Sequence, residues 1–169
     1  MKNSITIALL FVVSLNYSCA QNPENKVITP KEPVFSTELF VDELQIPWGF
    51  TFLPDKSILI TEKEGKLIHF RNGKKTIISN VPEVYNRGQG GLLDIEIPPN
   101  YQENGFIYLS YASTEGNEKG GHTAIMRAKL KNNALIEKEL LYKAVPNTTK
   151  GQHFGSRIVF DNDGYLYFS

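Results

Sequence analysis

Phe52-Leu53-Pro54-Asp55-Lys56-Ser57-Ile58-Leu59-Ile60-Thr61 returns near the end of the sequence as Phe160-Asp161-Asn162-Asp163-Gly164-Tyr165-Leu166-Tyr167-Phe168-Ser169. Each copy has an apolar strand end, a turn of Pro, Asp, Asn, Lys or Gly, and then a run of β-branched, Leu and aromatic residues. That is the pattern of an antiparallel hairpin. A looser copy lies between them, Ile97-Pro98-Pro99-Asn100 followed by Asn104-Gly105-Phe106-Ile107-Tyr108-Leu109-Ser110, with a longer turn. Three copies spaced roughly fifty residues apart match the blade period of a β-propeller, whereas a two-sheet sandwich would not require the repeat.

The segments around these copies agree. From Thr37 onward, strands are predicted at Ser57–Glu62, Lys66–Arg71, Lys75–Ser79, Leu92–Ile97, Phe106–Tyr111, Ala124–Leu130 and Arg157–Phe160. Asn72-Gly73 and Asn132-Asn133 supply further tight reversals. Asn133–Lys143 has some helical character, but Leu135-Ile136-Glu137-Lys138-Glu139-Leu140-Leu141 reads equally as a strand and is assigned as one. Ten Phe, eight Tyr and one Trp within a 41% hydrophobic chain, with few stripes of helical period, favour an all-β class. A closed propeller needs four to eight blades. The predicted strands fill about two and a half, so the sequence is expected to be the N-terminal portion of a longer protein, with blade faces left open to aggregation.

Eighteen basic against eighteen acidic residues leave no net field to attract nucleic acid or an anionic membrane. Residues 1–20 read as a secretory signal, with Lys2, an apolar run from Ile5 to Val13, and small residues at Ser18 and Ala20. The single cysteine, Cys19, follows that run where a bacterial lipoprotein carries its lipid, although Asn16 stands where a leucine is usual. Cleavage after Ser18-Cys19-Ala20 by an ordinary signal peptidase is the other reading. The expected location is therefore exported, either free in the periplasm or held at the membrane by the lipid on Cys19. No disulfide is available. Residues 21–36, rich in Asn, Lys, Glu and Pro, are expected to form a flexible tether to the propeller portion at 37–169.

Two glycine-flanked motifs carry the candidate chemistry: Gly88-Gln89-Gly90-Gly91-Leu92-Leu93-Asp94 and Gly151-Gln152-His153-Phe154-Gly155-Ser156-Arg157. Polar side chains held between glycines just before an apolar strand are poorly placed for core filling and well placed to meet a ligand. His153 has the chemistry of a base at neutral pH, or else it caps the following strand. Gln89 can orient a hydroxyl or a quinone oxygen, or else bond within its own loop. Asp94 is expected to satisfy backbone amides, Arg157 to pair with a carboxylate in the sheet, and His69 and His122 to lie at the surface. No His, Cys or Glu spacing fits a metal site, and Asp161-Asn162-Asp163-Gly164 reads as a turn rather than a calcium loop.

These motifs, together with Ile46-Pro47-Trp48-Gly49-Phe50, Thr61-Glu62-Lys63-Glu64-Gly65 and Ile107-Tyr108-Leu109-Ser110-Tyr111, resemble those of the soluble pyrroloquinoline-quinone-dependent sugar dehydrogenases, the glucose/sorbosone dehydrogenase family. The resemblance covers about Leu44 to Ser169. It implies a six-bladed β-propeller, of which this chain holds roughly the first two to three blades. It also implies oxidation of an aldose at its anomeric carbon, with His153 as general base, Gln89 helping to hold cofactor and sugar, and pyrroloquinoline quinone (PQQ) passing electrons to an external acceptor. Calcium would bind the quinone and hold subunits together as a homodimer, with its ligands and the quinone's carboxylate clamps beyond Ser169. The chain by itself is then expected to be inactive. Gln152 stands where the glucose dehydrogenase branch has an aspartate, which sets the orientation of the base and the fit to glucose apart from that branch. Two other readings of such a propeller are a non-catalytic surface module that binds glycan or a partner protein, and a metal-dependent lactonase or hydrolase.

Overall fold

The computed structural model describes residues 35–169. The leader, Cys19 and all but the last two residues of the expected tether lie outside the described residues. A compact unit runs from Leu39 to Ser169. Its strands are β1 (Pro47–Phe52), β2 (Ile58–Glu62), β3 (Lys66–Arg71), β4 (Lys74–Ile78), β5 (Leu92–Glu96), β6 (Phe106–Ser113), β7 (His122–Lys131), β8 (Ala134–Lys143), β9 (Ile158–Phe160) and β10 (Leu166–Phe168). β1 to β4 form one four-stranded sheet in sequence order, β5 to β8 form a second, and β9 pairs with β10. All pairings are antiparallel. The three repeat copies are thus the hairpins that open three successive sheets. The architecture is two complete propeller blades and the first half of a third.

The turns show why the repeat is legible. In the first copy Lys56 takes a left-handed conformation at φ 66°, and in the last Gly164 does so at φ 85°. Asp55 Oδ1 accepts the Ser57 N–H at 3.0 Å and its hydroxyl at 2.5 Å. These bonds hold the Asp55 carboxyl below its ordinary range. Asp161 Oδ1 accepts the Asp163 and Tyr165 N–H groups at 3.0 and 2.8 Å, so Asp161-Asn162-Asp163-Gly164 is a turn closed by its own carboxylate. The middle copy departs from the others. Its longer turn contains a one-turn helix, α1 (Tyr101–Asn104), closed by left-handed Gly105, whose N–H donates to the Tyr101 carbonyl. The 133–143 segment is a strand because it pairs along its length with β7, where Arg127 faces Glu139 at 2.6 Å and Lys129 reaches Glu137 at 2.6 Å. Pro47–Phe52 is an additional strand that the sequence pattern left unassigned.

Alternation of side chains builds the layers. Leu59 and Leu67 of the first sheet meet Leu92, Ile95, Ile107, Leu109 and Tyr111 of the second in one buried cluster. Ile58, Ile60 and Ile68 point the other way and are covered by Val41 and Leu44, so all five residues of β2 are buried. From β6, Tyr108 turns toward the third hairpin and packs edge-on against Phe160, with ring centres 4.8 Å apart.

Polar side chains fasten the seams between sheets. Thr61, fully buried on β2, accepts the Gly49 N–H at 2.9 Å and donates to the Leu93 carbonyl of the next sheet. Ser110, at the corresponding place on β6 and also fully buried, accepts the Asp94 N–H at 2.9 Å and donates to the Ser156 carbonyl at 2.5 Å. The first strands of neighbouring sheets have no ladder between them, so these hydroxyls satisfy backbone groups that would otherwise be buried without partners. Thr61→Val is expected to destabilise the full-length protein by about 1–3 kcal/mol, with Thr61→Ser, which keeps the hydroxyl, costing less. Denaturant unfolding of the two variants checks this; a loss in Thr61→Ser with little or none in Thr61→Val would mean that the methyl group matters and the hydroxyl does not.

Candidate active site

Both glycine motifs lie immediately before the first strand of a sheet, Gly88–Gly91 before β5 and Gly151–Arg157 before β9. The fold brings them into contact. Gly88 has φ +58°, and a Cβ there would overlap the Gly151 carbonyl oxygen, so glycine is required on both conformational and steric grounds. The Gln89 N–H donates to that same carbonyl at 2.9 Å, and the Gln89 side-chain Oε1 accepts the His153 backbone N–H at 2.9 Å. Because a backbone donor needs an acceptor opposite it, the oxygen is the amide atom turned to His153, and among the described residues Nε2 has no hydrogen-bond partner.

The rest of the second motif is held by the same blade. The Phe154 ring is buried against Leu93, Ala112 and Tyr85, and its carbonyl accepts the Thr123 hydroxyl. Gly90 allows that ring to approach, since a Cβ there would lie 3.0 Å from it. Ser156 is tied to Ser110 through its carbonyl and to the Ser169 carbonyl through its N–H, at 2.8 Å. Asp94, only 2% exposed, accepts Arg157 Nη1 on Oδ1 at 3.0 Å and the Ile158 N–H on Oδ2 at 2.8 Å. Asp94 therefore does what its position predicts, satisfying a buried amide, and Arg157 finds its carboxylate.

His153 is placed differently from its neighbours. It is exposed and takes the left-handed conformation at φ 59°, which is uncommon for a residue with a Cβ. Its backbone N–H is bonded to Gln89 and its side chain is exposed to solvent. The backbone N–H is the group of His153 that is bonded, and it reaches across to the first motif rather than to the strand that follows. Gln89 does not bond within its own loop through its side chain; it bonds the other motif.

Two expectations need correction. His122 is half-buried, not a surface residue: its ring lies 6.5 Å from that of Phe154 and its Nδ1 accepts the Thr123 N–H at 2.9 Å. His69 is also half-buried, on β3, where Nε2 shares a 2.8 Å hydrogen bond with the Ser57 hydroxyl across the strand pair. Burial pushes its imidazole down from the ordinary value, against the opposing pull of Asp55. The burial of neither is visible in the linear sequence, since Phe154 comes to His122 from another loop and Ser57 to His69 from across the strand pair. Of the residues that support the loop, Ser110 had a signal in its match to Thr61 in the repeat; Thr123 had none.

Comparison with known proteins gives the site its context. The profile of the family described as Glucose / Sorbosone dehydrogenase matches residues 44–169, three quarters of the chain. The chain belongs to the glucose/sorbosone dehydrogenase family. The aldose sugar dehydrogenase YliI of Escherichia coli K12 is 36% identical over 139 residues, covering 79% of this chain and 37% of its own length. The apo crystal structure of the soluble E. coli aldose sugar dehydrogenase superposes with a TM-score of 0.69 at 36% identity, over 75% of this chain and 38% of that one. The PQQ-bound aldose sugar dehydrogenase of Streptomyces coelicolor superposes with a TM-score of 0.64 at 27% identity, over the same shares. The chain thus spans less than two fifths of these relatives. Two and a half blades of a six-bladed ring would account for about that share.

The close approach of the two motifs has a direct test. Gly88→Ala and Gly73→Ala both place a Cβ at positive φ, but Gly73, at φ +73°, has nothing within 4 Å of the added carbon. Gly73→Ala is expected to cost about 1 kcal/mol and Gly88→Ala clearly more, roughly 2 kcal/mol or above, in denaturant unfolding. Equal losses would show that the two motifs are not held against each other.

Proposed function

We propose that the full-length protein is an exported, PQQ-dependent aldose dehydrogenase in which His153 is the general base. The observation that carries this reading is the paired motif. A histidine is held by its backbone, with its ring free and exposed, next to an amide whose donors are uncommitted, at the head of a propeller strand. The residues present suit a flat, carbonyl-rich cofactor. The exposed His153 side chain can meet a ligand, and Gln89 Nε2 can donate to a quinone or sugar oxygen. The relatives named above, one of them PQQ-bound, support the same cofactor.

The quinone, when bound, would supply the hydride acceptor that no side chain can provide. The chain's own task is the proton. As the anomeric C–H bond gives up its hydride, the hydroxyl on that carbon must lose its proton for the C=O of a lactone to form, and a neutral imidazole within hydrogen-bond reach accepts it. The Gln89 amide would hold the sugar hydroxyl or the quinone oxygen toward His153 while the loop backbone stays fixed. Among the described residues no group of three His, Cys, Asp or Glu side chains could hold a metal ion. The calcium that belongs to this proposal would take its ligands elsewhere in the full-length protein, as would the contacts that pair two subunits.

His153→Ala in the full-length protein is expected to lower aldose-dependent dye reduction, measured with added PQQ and calcium, by about 10²–10⁴-fold with folding unchanged. Wild-type turnover in that variant would remove His153 as the base, and inert wild-type protein under the same conditions would point instead to a propeller that binds without catalysis. The leader supports export with lipid attachment at Cys19. Cys19→Ala is expected to move the protein from the membrane to the soluble fraction of cells and to abolish labelling by a fatty-acid analogue; unchanged fractionation and no label in the wild type would favour ordinary signal cleavage.

A further inference from the structure

We propose that Gln89 is a positioning residue for His153, acting through its amide oxygen on the His153 backbone N–H rather than only as a ligand contact. The inference rests on the reading of His153 as the general base.

The 151–158 loop is bonded to the second blade at almost every step. The Gly151 carbonyl is taken by the Gln89 N–H, the Phe154 carbonyl by the Thr123 hydroxyl, the Ser156 carbonyl by the Ser110 hydroxyl, and the Ile158 N–H by the Asp94 carboxylate. Each of these bonds flanks His153. Among the described residues only the Gln89 side chain is hydrogen-bonded to His153 itself, at 2.9 Å. The bond falls where the backbone most needs support, because a residue with a Cβ is strained at φ 59°. Gly151 at φ 72° and Gly155 at φ 63° flank it, and both can rotate without strain of their own. Without the Gln89 bond, His153 would therefore have both a reason to leave its conformation and hinges that let it do so. Its ring would swing with the backbone.

The two functions open to Gln89 use different atoms, and this makes them separable. Holding the His153 N–H needs an acceptor, Oε1; touching a quinone or sugar oxygen needs a donor, Nε2. Gln89→Glu keeps the acceptor and loses the donor, whereas Gln89→Ala loses both.

The experiment uses the full-length protein and combines amide hydrogen exchange at His153, read without cofactor, with steady-state kinetics. Gln89→Ala is expected to speed exchange of the His153 amide by about tenfold or more. It should lower kcat by about 10²-fold, while any rise in the sugar KM or the PQQ dissociation constant that comes from losing the Nε2 donor is shared by Gln89→Glu. Gln89→Glu is expected to restore the slow exchange and most of kcat, each variant being read at its own pH optimum. Unchanged exchange in Gln89→Ala would overturn the proposal. So would a Gln89→Glu protein that keeps the slow exchange but loses kcat as severely as Gln89→Ala, which would make Gln89 a ligand contact only. Failure of the underlying reading looks different: His153→Ala would then turn over normally, whatever the exchange rates at position 89 variants show.

Discussion

The seams between propeller blades pose one physical problem on which the rest of this structure depends. The first strands of adjacent sheets splay from one another, so their inner backbone groups face each other without a ladder, yet are too deeply buried to be left to water. The chain solves this with short polar side chains: the Thr61 hydroxyl joins the first sheet to the second, and the Ser110 hydroxyl and the Asp94 carboxylate join the second to the third hairpin. Glycine at position 49 has the same origin, since an added Cβ would lie 2.6 Å from the Asp94 carboxylate. An apolar side chain at any of these places could fill the volume, but it would strand donors and acceptors on both sides.

The site inherits its geometry from that solution. The segment before β9 is held by a row of side chains from the second blade, so its path is set by the blade it leaves behind and not by its own propensities. Arg157 and Ile158 are drawn to Asp94, Phe154 is sunk between Tyr85 and His122, and Gly151 is pressed onto Gly88. His153 remains exposed, its backbone N–H held by the Gln89 amide oxygen. A rigid loop with one free imidazole is the arrangement expected where a proton must be taken at a defined position. The carboxylate nearest the loop, Asp94, is committed to an amide and a guanidinium, which leaves it no free acceptor directed at a ligand.

Much of the architecture was legible in the linear chain because hairpins are local. Pro54-Asp55-Lys56 and Asp161-Asn162-Asp163-Gly164 close turns with their own side chains, and the alternation of Ile58 to Thr61 and Ile107 to Ser110 sorts each strand's faces without reference to anything distant. β1 was missed because Pro47, Trp48 and Gly49 lack an alternating pattern, and their strand forms only against β2. α1 was missed because four residues give no period to detect. The 133–143 segment was ambiguous for a related reason: Leu135 to Leu141 suits either element, and it was the register of opposite charges across β7 that settled it.

The sequence alone determined the all-β class, the order and period of the blades, the two glycine motifs and the residues with usable chemistry, since each depends on neighbours within a turn or a strand. Tertiary structure decided what those residues do to one another. Gln89 and His153 are 64 positions apart, as are Asp94 and Ile158, and contacts at such separations arise only when two blades pack side by side. His69 and His122 were misplaced for the same reason, because burial is a property of the packed sheet and leaves no mark on a single histidine in the chain.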